Sequence, residues 1–258
     1  MKKTRLVPII IAAFCLISTA AFAKSAPMTF KDNGTLRKDI ESGKSIMFVC
    51  PHPDDEVFIA GTIALVGGDK GIFCYICCLG SLDNVRRENV DIPSRIKAIR
   101  WLDKTYLKDY LFLDNNFKVI TPKIANEMKK QVAYIIEQKK PDIIITFSPS
   151  GYDGNKNRSI TSRVVTDIYH LLSYQPKLYF VINFDQELSF KAREYRKYPP
   201  TDIIDLNTYS EKLGKTLWIA KLEIWDRYSD SVPVIMNVMA RKARLENNDH
   251  KEYFMKAR

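Results

Sequence analysis

The strongest constraint on the fold is a succession of short apolar runs: Ser45–Cys50, Ile72–Leu79, Leu111–Leu113, Asp142–Phe147 and Leu178–Phe184. They are nearly continuous rather than alternating, as strands covered on both faces are. Between them lie stretches with helical spacing. Glu56–Val66 is closed by Gly67-Gly68, and Pro93–Lys104 carries Ile92, Ile96, Ile99 and Leu102 on one face. Thr121–Gln138 places Ile124, Met128, Val132 and Ile135 at helical intervals; Ile160–Leu172 and Tyr209–Tyr228 complete the set. Strands alternating with helices predict an α/β fold, a three-layer α/β/α arrangement around a mostly parallel, Rossmann-like sheet. The 258 residues are 46% hydrophobic, enough for one such core. No repeat or linker interrupts the chain, so residues 24–258 read as a single domain. Residues 24–44 wrap its surface, and a charged, basic tail runs from Arg241 to Arg258.

The first 23 residues read as an export signal. Lys2, Lys3 and Arg5 precede the apolar run Val7–Thr19, and Ala21-Phe22-Ala23 is a small-x-small cleavage site. The run is too short to span a membrane comfortably, and no later stretch approaches that length. A periplasmic or secreted location is therefore expected. Loss of those three bases lowers the formal charge from +10 to +7. The remaining bases, among them Lys129, Lys130, Lys139 and Lys140, are scattered among acids without an aromatic interleave. They read as a solvated surface rather than a nucleic-acid footprint. Cys50, Cys74, Cys77 and Cys78 read as buried thiols, with Cys74 and Cys77 on opposite faces of one strand.

Chemistry concentrates in the loop after the first run, Pro51-His52-Pro53-Asp54-Asp55-Glu56. An open α/β sheet builds its ligand site at the carboxyl ends of its strands, which is where this loop falls. An imidazole and an aspartate supply two ligands to a metal such as zinc, and a neighbouring aspartate serves as base for a metal-bound water. A proline-rich turn with acidic helix-start residues has the same sequence, Asp55 as cap and Glu56 favoured by the helix dipole. Histidine is scarce: His52, His170 and His250 are the only three.

The hexapeptide and the strand–helix order around it resemble the LmbE/PIG-L family of zinc-dependent N-deacetylases, which act on N-acetylglucosaminyl compounds. The resemblance runs from about residue 44 to at least residue 166. It implies that His52 and Asp55 bind zinc or another divalent metal and that Asp54 is the general base. It also implies an amino-sugar or glycan substrate, held by the loops at 80–91 and 148–158. Arg86 and Arg87 are placed there to meet a phosphate or uronate.

The family's second motif, Gly-His-Pro-Asp-His, is replaced here by Gly154-Asn155-Lys156-Asn157-Arg158. The expected ligand histidine falls on Arg158, whose guanidinium stays protonated, and the preceding histidine falls on Asn155. Both are read as lining the substrate side. Asp153 and Asn157 are the nearest replacement ligands, Asp153 the preferred one. His170 lies roughly 15 Å down a helix by helical rise, and His250 sits in the charged tail. Leu206–Tyr228 contains no histidine, and Arg95 has no acidic residue after it until Asp103. Trp101, Trp218 and Trp225, at helical positions, read as core. Two readings follow. One is a metal-dependent hydrolase that removes an N-acetyl group and has an altered second motif. The other is an inactive relative that binds a carbohydrate or partner protein, with Arg158 paired to Asp54 or Asp55. A nucleotide binder lacks its glycine-rich phosphate loop.

Overall fold

The computed structural model describes residues 31–80, 92–152, 154–182, 199–228 and 250–257. Residues 1–23, read from the sequence as an export signal, lie outside them, as do Arg86, Arg87 and Asp153. Strands β1 (Ile46–Cys50), β2 (Cys74–Gly80), β3 (Asp109–Asn115), β4 (Ile143–Phe147) and β5 (Lys177–Ile182) pair in parallel in the order β3-β2-β1-β4-β5. β9 (Lys251–Lys256) joins β5 antiparallel and carries β6 (Asp202–Asp205) at the edge. The sheet is thus mostly parallel, as the continuous apolar runs require.

Alternate residues of β1 feed two cores, because successive side chains of a strand point to opposite faces. Ile46, Phe48 and Cys50 pack with Ile63, Leu102 and Ile224 on one face; Met47 and Val49 pack with Met128, Val132 and Val165 on the other. The first face is covered by α2 (Ala60–Ile63), α3 (Ile92–Tyr106) and α6 (Leu217–Arg227), the second by α4 (Pro122–Lys139) and α5 (Lys156–Tyr169). Cys74 and Cys78 face the first core and Cys77 the second; all four described cysteines are buried free thiols. Trp101, Trp218 and Trp225 pack against the first core. No helix among the described residues is long and apolar enough to cross a membrane.

Several boundaries correct the sequence reading. The charged tail includes a buried strand, since Glu252 in β9 is 3% exposed. Its carboxylate accepts hydrogen bonds from the backbone N–H groups of Gly61 (3.0 Å) and Thr62 (2.8 Å), and from Lys221 Nζ (2.6 Å). A charge can be buried when it is paired and hydrogen-bonded, and that tertiary condition is invisible in local sequence. His250 stacks on Trp218 at 4.2 Å between ring centroids. Tyr209–Tyr228 is not one helix: a small hairpin, β7 (Tyr209–Ser210) and β8 (Lys215–Thr216), precedes α6. The Thr216 side chain caps α6 by accepting from Ile219 N–H. Residues 24–44 are not all surface wrapping, because α1 (Thr35–Glu41) buries Leu36 and Ile40. Gly67-Gly68 does not close the helix after β1. A 3-10 turn (Asp55–Ile59), α2 and a π turn (Ala64–Asp69) continue through it. A Cβ on Gly67 would lie 1.7 Å from the Tyr106 carbonyl oxygen, so glycine here permits the end of α3 to approach.

The order places β2 and β3 on one side of β1 and β4 and β5 on the other. The connections reverse direction between β1 and β4, where such sheets open a ligand crevice beyond their carboxyl ends. The loop at 51–55 and the start of α5 meet at that junction.

Candidate functional site

Pro51 and Pro53 restrict the backbone on either side of His52. Asp54 adopts φ 100°, a left-handed conformation strained for any residue but glycine. This turn folds the loop back on itself, so that Asp55 Oδ2 accepts from the His52 backbone N–H at 3.0 Å. The same oxygen lies 3.2 Å from His52 Nδ1.

The opposite wall is the first turn of α5. The helix starts at Lys156, not at Ile160, because Asn155 is its N-cap. The Asn155 side-chain oxygen accepts from the backbone N–H groups of Asn157 (2.9 Å) and Arg158 (3.3 Å). Asn155, expected to line the substrate side, is a capping residue that presents the next three side chains. Asn157 Nδ2 lies 3.0 Å from His52 Nε2 and 3.4 Å from the Lys118 carbonyl, while Asn157 Oδ1 accepts from Ile120 N–H at 3.1 Å. This network assigns the amide nitrogen to His52, so Nε2 accepts and Nδ1 carries the proton donated to Asp55.

Arg158 closes the site from the same turn. Its Nη2 and Nε reach Asp55 Oδ1 at 2.6 and 3.0 Å. The guanidinium lies 4.5 Å from the Phe58 ring centroid and 5.0 Å from that of Phe147. Arg158 is 8% exposed and Asp55 fully buried. Arg158, expected to line the substrate side, is paired with Asp55. Burial pushes the Asp55 carboxyl up, but Arg158 and then His52 outweigh it and hold the group down to about 2.

Asp54 is the more open carboxylate, its side chain 19% exposed, and its Oδ2 accepts from Arg95 Nη2 at 2.7 Å. Burial raises its pKa to about 6 against the opposing pull of Arg95, with Asp55 adding to the rise. Beneath it, Glu56 accepts from Tyr110 Oη at 3.1 Å and from Tyr228 Oη, and holds the Asp54 backbone N–H at 3.0 Å. Burial raises Glu56 to about 7 despite the Tyr228 hydrogen bond.

The structure thus brings together His52, Asp54, Asp55 and Arg158. His170 ends α5 at the far end from Arg158, beside Tyr169 in a surface groove. The sequence reading did not foresee Glu56 with Tyr110 and Tyr228, nor Phe58 and Phe147 under the guanidinium. Burial of Glu56 has no local signal, because its two phenols come from β3 and the end of α6.

Among the described residues the donor set does not fit zinc. A zinc site built from His52 and Asp55 needs a free imidazole lone pair and a free carboxylate oxygen. His52 Nε2 is taken by Asn157, and both Asp55 oxygens are taken by His52 and Arg158. No group of three histidine, cysteine, aspartate or glutamate side chains among the described residues could hold a metal ion.

Residues 47–169, which include both walls of the cleft, match the PIG-L family model, described as GlcNAc-PI de-N-acetylase. The chain is 21% identical over 209 residues to a probable N-acetyl-alpha-D-glucosaminyl L-malate deacetylase 2 of Bacillus anthracis, covering 75% of this chain and 92% of that protein. Its fold is similar to that of N,N'-diacetylchitobiose deacetylase from Pyrococcus horikoshii, with TM-score 0.58 and 15% identity over 87% of this chain and 91% of that one. It is also similar to GalB, the 4-carboxy-2-hydroxymuconate hydratase of Pseudomonas putida, with TM-score 0.54 and 13% identity over 83% and 96% of the two chains. The family model thus spans both walls of the cleft, and the solved structures share the fold.

Proposed function

We propose that this chain is a deacetylase-type hydrolase that cleaves the acetamide of an N-acetylated amino-sugar compound in the crevice between β1 and β4. The supporting observation is Asp54. It is held at a strained left-handed φ of 100° at the cleft mouth, anchored through one carboxylate oxygen by Arg95. Strain of this kind costs of order 1–3 kcal/mol and persists where the surroundings impose it, often at functional sites. Asp54 accepts a proton from the attacking water, whose oxygen adds to the acetamide carbonyl carbon. The C–N bond then breaks, Asp54 returns the proton to the departing nitrogen, and acetate and a free amine result. The guanidinium of Arg95, beside Asp54, supplies positive charge near the developing oxyanion. The sequence reading of residues 1–23 as an export signal supports a substrate outside the cytoplasm.

A second reading is favoured by one specific feature, the closed network of His52, Asp55, Asn157 and Arg158. In it the cleft holds the same N-acetylated ligand without turnover. Incubation of the purified chain with N-acetylglucosamine and N,N'-diacetylchitobiose separates the two. Acetate release that disappears in Asp54→Asn supports the hydrolase. Saturable binding by NMR with no acetate formed sinks it and leaves the binding reading.

A further inference from the structure

We infer that Arg158 is the resident cation of this cleft, replacing a metal ion at Asp55, and that its replacement by histidine opens a zinc site. The inference concerns the same cleft as the proposed hydrolase and rests on that reading of it. Three observations support it independently of turnover.

The first is position. Arg158 reaches Asp55 from across the β1/β4 junction, from the first turn of α5, and sets two nitrogens on a single carboxylate oxygen at 2.6 and 3.0 Å. The donor and acceptor are both ionised, which makes such bonds short and strong. The second is that the cation is built in rather than draped over the surface. The guanidinium rests on two aromatic faces, Phe58 and Phe147, and Arg158 is only 8% exposed. Lysine would not suit this place equally well, because a planar guanidinium stacks on rings while reaching a carboxylate edge-on. The third is charge. The ionised Asp55 and Arg158 sum to zero. A divalent ion on Asp55 would have to displace or face a permanent cation a few ångströms away (about one carboxylate oxygen's width).

His52 Nδ1 and Asp55 Oδ2 stand 3.2 Å apart, joined by a hydrogen bond. Removing the Arg158 charge frees Asp55 Oδ1, and an imidazole at position 158 brings a third donor from the same helical turn. Zinc then competes with a proton between His52 and Asp55, not with a fixed cation.

The experiment reads bound metal rather than activity. The purified full chain is dialysed against micromolar zinc, passed through a desalting column, and its metal measured by mass spectrometry; the same is done for Arg158→His and for Arg158→His combined with His52→Ala. Expected are less than one-tenth zinc per wild-type chain, close to one per Arg158→His chain, and a return to the wild-type level in the double variant. Stoichiometric zinc on the wild-type chain, lost in His52→Ala, overturns the inference. So does a folded Arg158→His chain without zinc. Where Arg158→His fails to fold, the wild-type measurement decides, aided by Arg158→Lys, which keeps the charge and is expected to stay free of zinc. A chain that binds no zinc and releases acetate supports the inference together with the hydrolase. One that binds no zinc and releases none supports the inference while the hydrolase reading fails.

Discussion

The two walls of the cleft are built on different principles. The β1 wall is a local object: His52, Asp54, Asp55 and Glu56 fall within five residues, and the prolines and the strained Asp54 set their directions. The α5 wall is a tertiary object. Asn155 caps the helix, Asn157 reaches His52, and Arg158 reaches Asp55 more than one hundred positions away in sequence. The first wall carries a half-buried, reactive carboxylate. The second neutralises the buried one. Substitutions on the second wall should therefore cost stability, and substitutions of Asp54 should cost chemistry.

The largest expected effect on stability is that of Arg158→Ala. It leaves the fully buried Asp55 carboxylate without its cation, and breaking a buried pair from one side costs about 3–5 kcal/mol. Urea denaturation at neutral pH measures it, with Asp54→Asn as the contrast: that variant is expected to unfold within about 1 kcal/mol of the parent, because Asp54 is partly exposed and its isostere still accepts from Arg95. Equal losses in the two variants would erase the distinction between the walls. In the hydrolysis assay the order reverses, and Asp54→Asn is expected to lower acetate release by about 10²–10⁴-fold, the range for removal of a general base.

Asn157→Ala comes next. It leaves Ile120 N–H and His52 Nε2 without the partner that now joins them. A buried group stranded in this way costs about 1–3 kcal/mol. The His52 ring should also lose its fixed tautomer, visible as a change in the imidazole nitrogen shifts by NMR. An unchanged spectrum would mean that Asn157 does not orient His52. Asn155→Ala should be milder, about 1 kcal/mol for a lost N-cap, and should fray the first turn of α5 on which Arg158 stands. Hydrogen exchange at the α5 amides reads this directly.

Much of the β1 wall was legible because proline, acidic and imidazole residues are packed into one short segment. The sheet was legible because its strands are apolar on both faces. The α5 wall was harder to read. The sequence placed Arg158 where a ligand histidine was expected, and pairing with Asp54 or Asp55 was one of its two readings. It could not tell which aspartate, since the choice depends on how β4 and α5 meet β1. It misplaced the start of α5, because Asn155 reads as a loop residue until its side chain is seen accepting from the helix. The buried strand β9 was missed for a related reason. Lys251, Glu252 and Lys256 read as tail, and only the contacts of Glu252 with Gly61, Thr62 and Lys221 make its burial tolerable.

The smallest and most selective effect is on the pH dependence of stability, where the adjacent aspartates should act in opposite directions. Asp55 is lowered from 3.8 to about 2 in the fold. The unfolded chain binds that proton more readily, so the Asp55 contribution is complete above 3.8 and is lost as pH falls toward 2. Asp54 is raised from 3.8 to about 6, and Glu56 from 4.5 to about 7. Here the folded chain holds the proton more tightly, so the contribution is complete below the unfolded values and is lost as pH rises through 6 and 7. Stability measured by urea denaturation across this range should fall on both sides, in acid through Asp55 and toward neutrality through Asp54 and Glu56. Asp54→Asn should flatten the neutral side between 3.8 and about 6 while leaving the acid side in place. If the substitution instead flattened the acid side, Asp54 rather than Asp55 would be the carboxylate that Arg158 holds ionised, and the two walls would have to be paired differently.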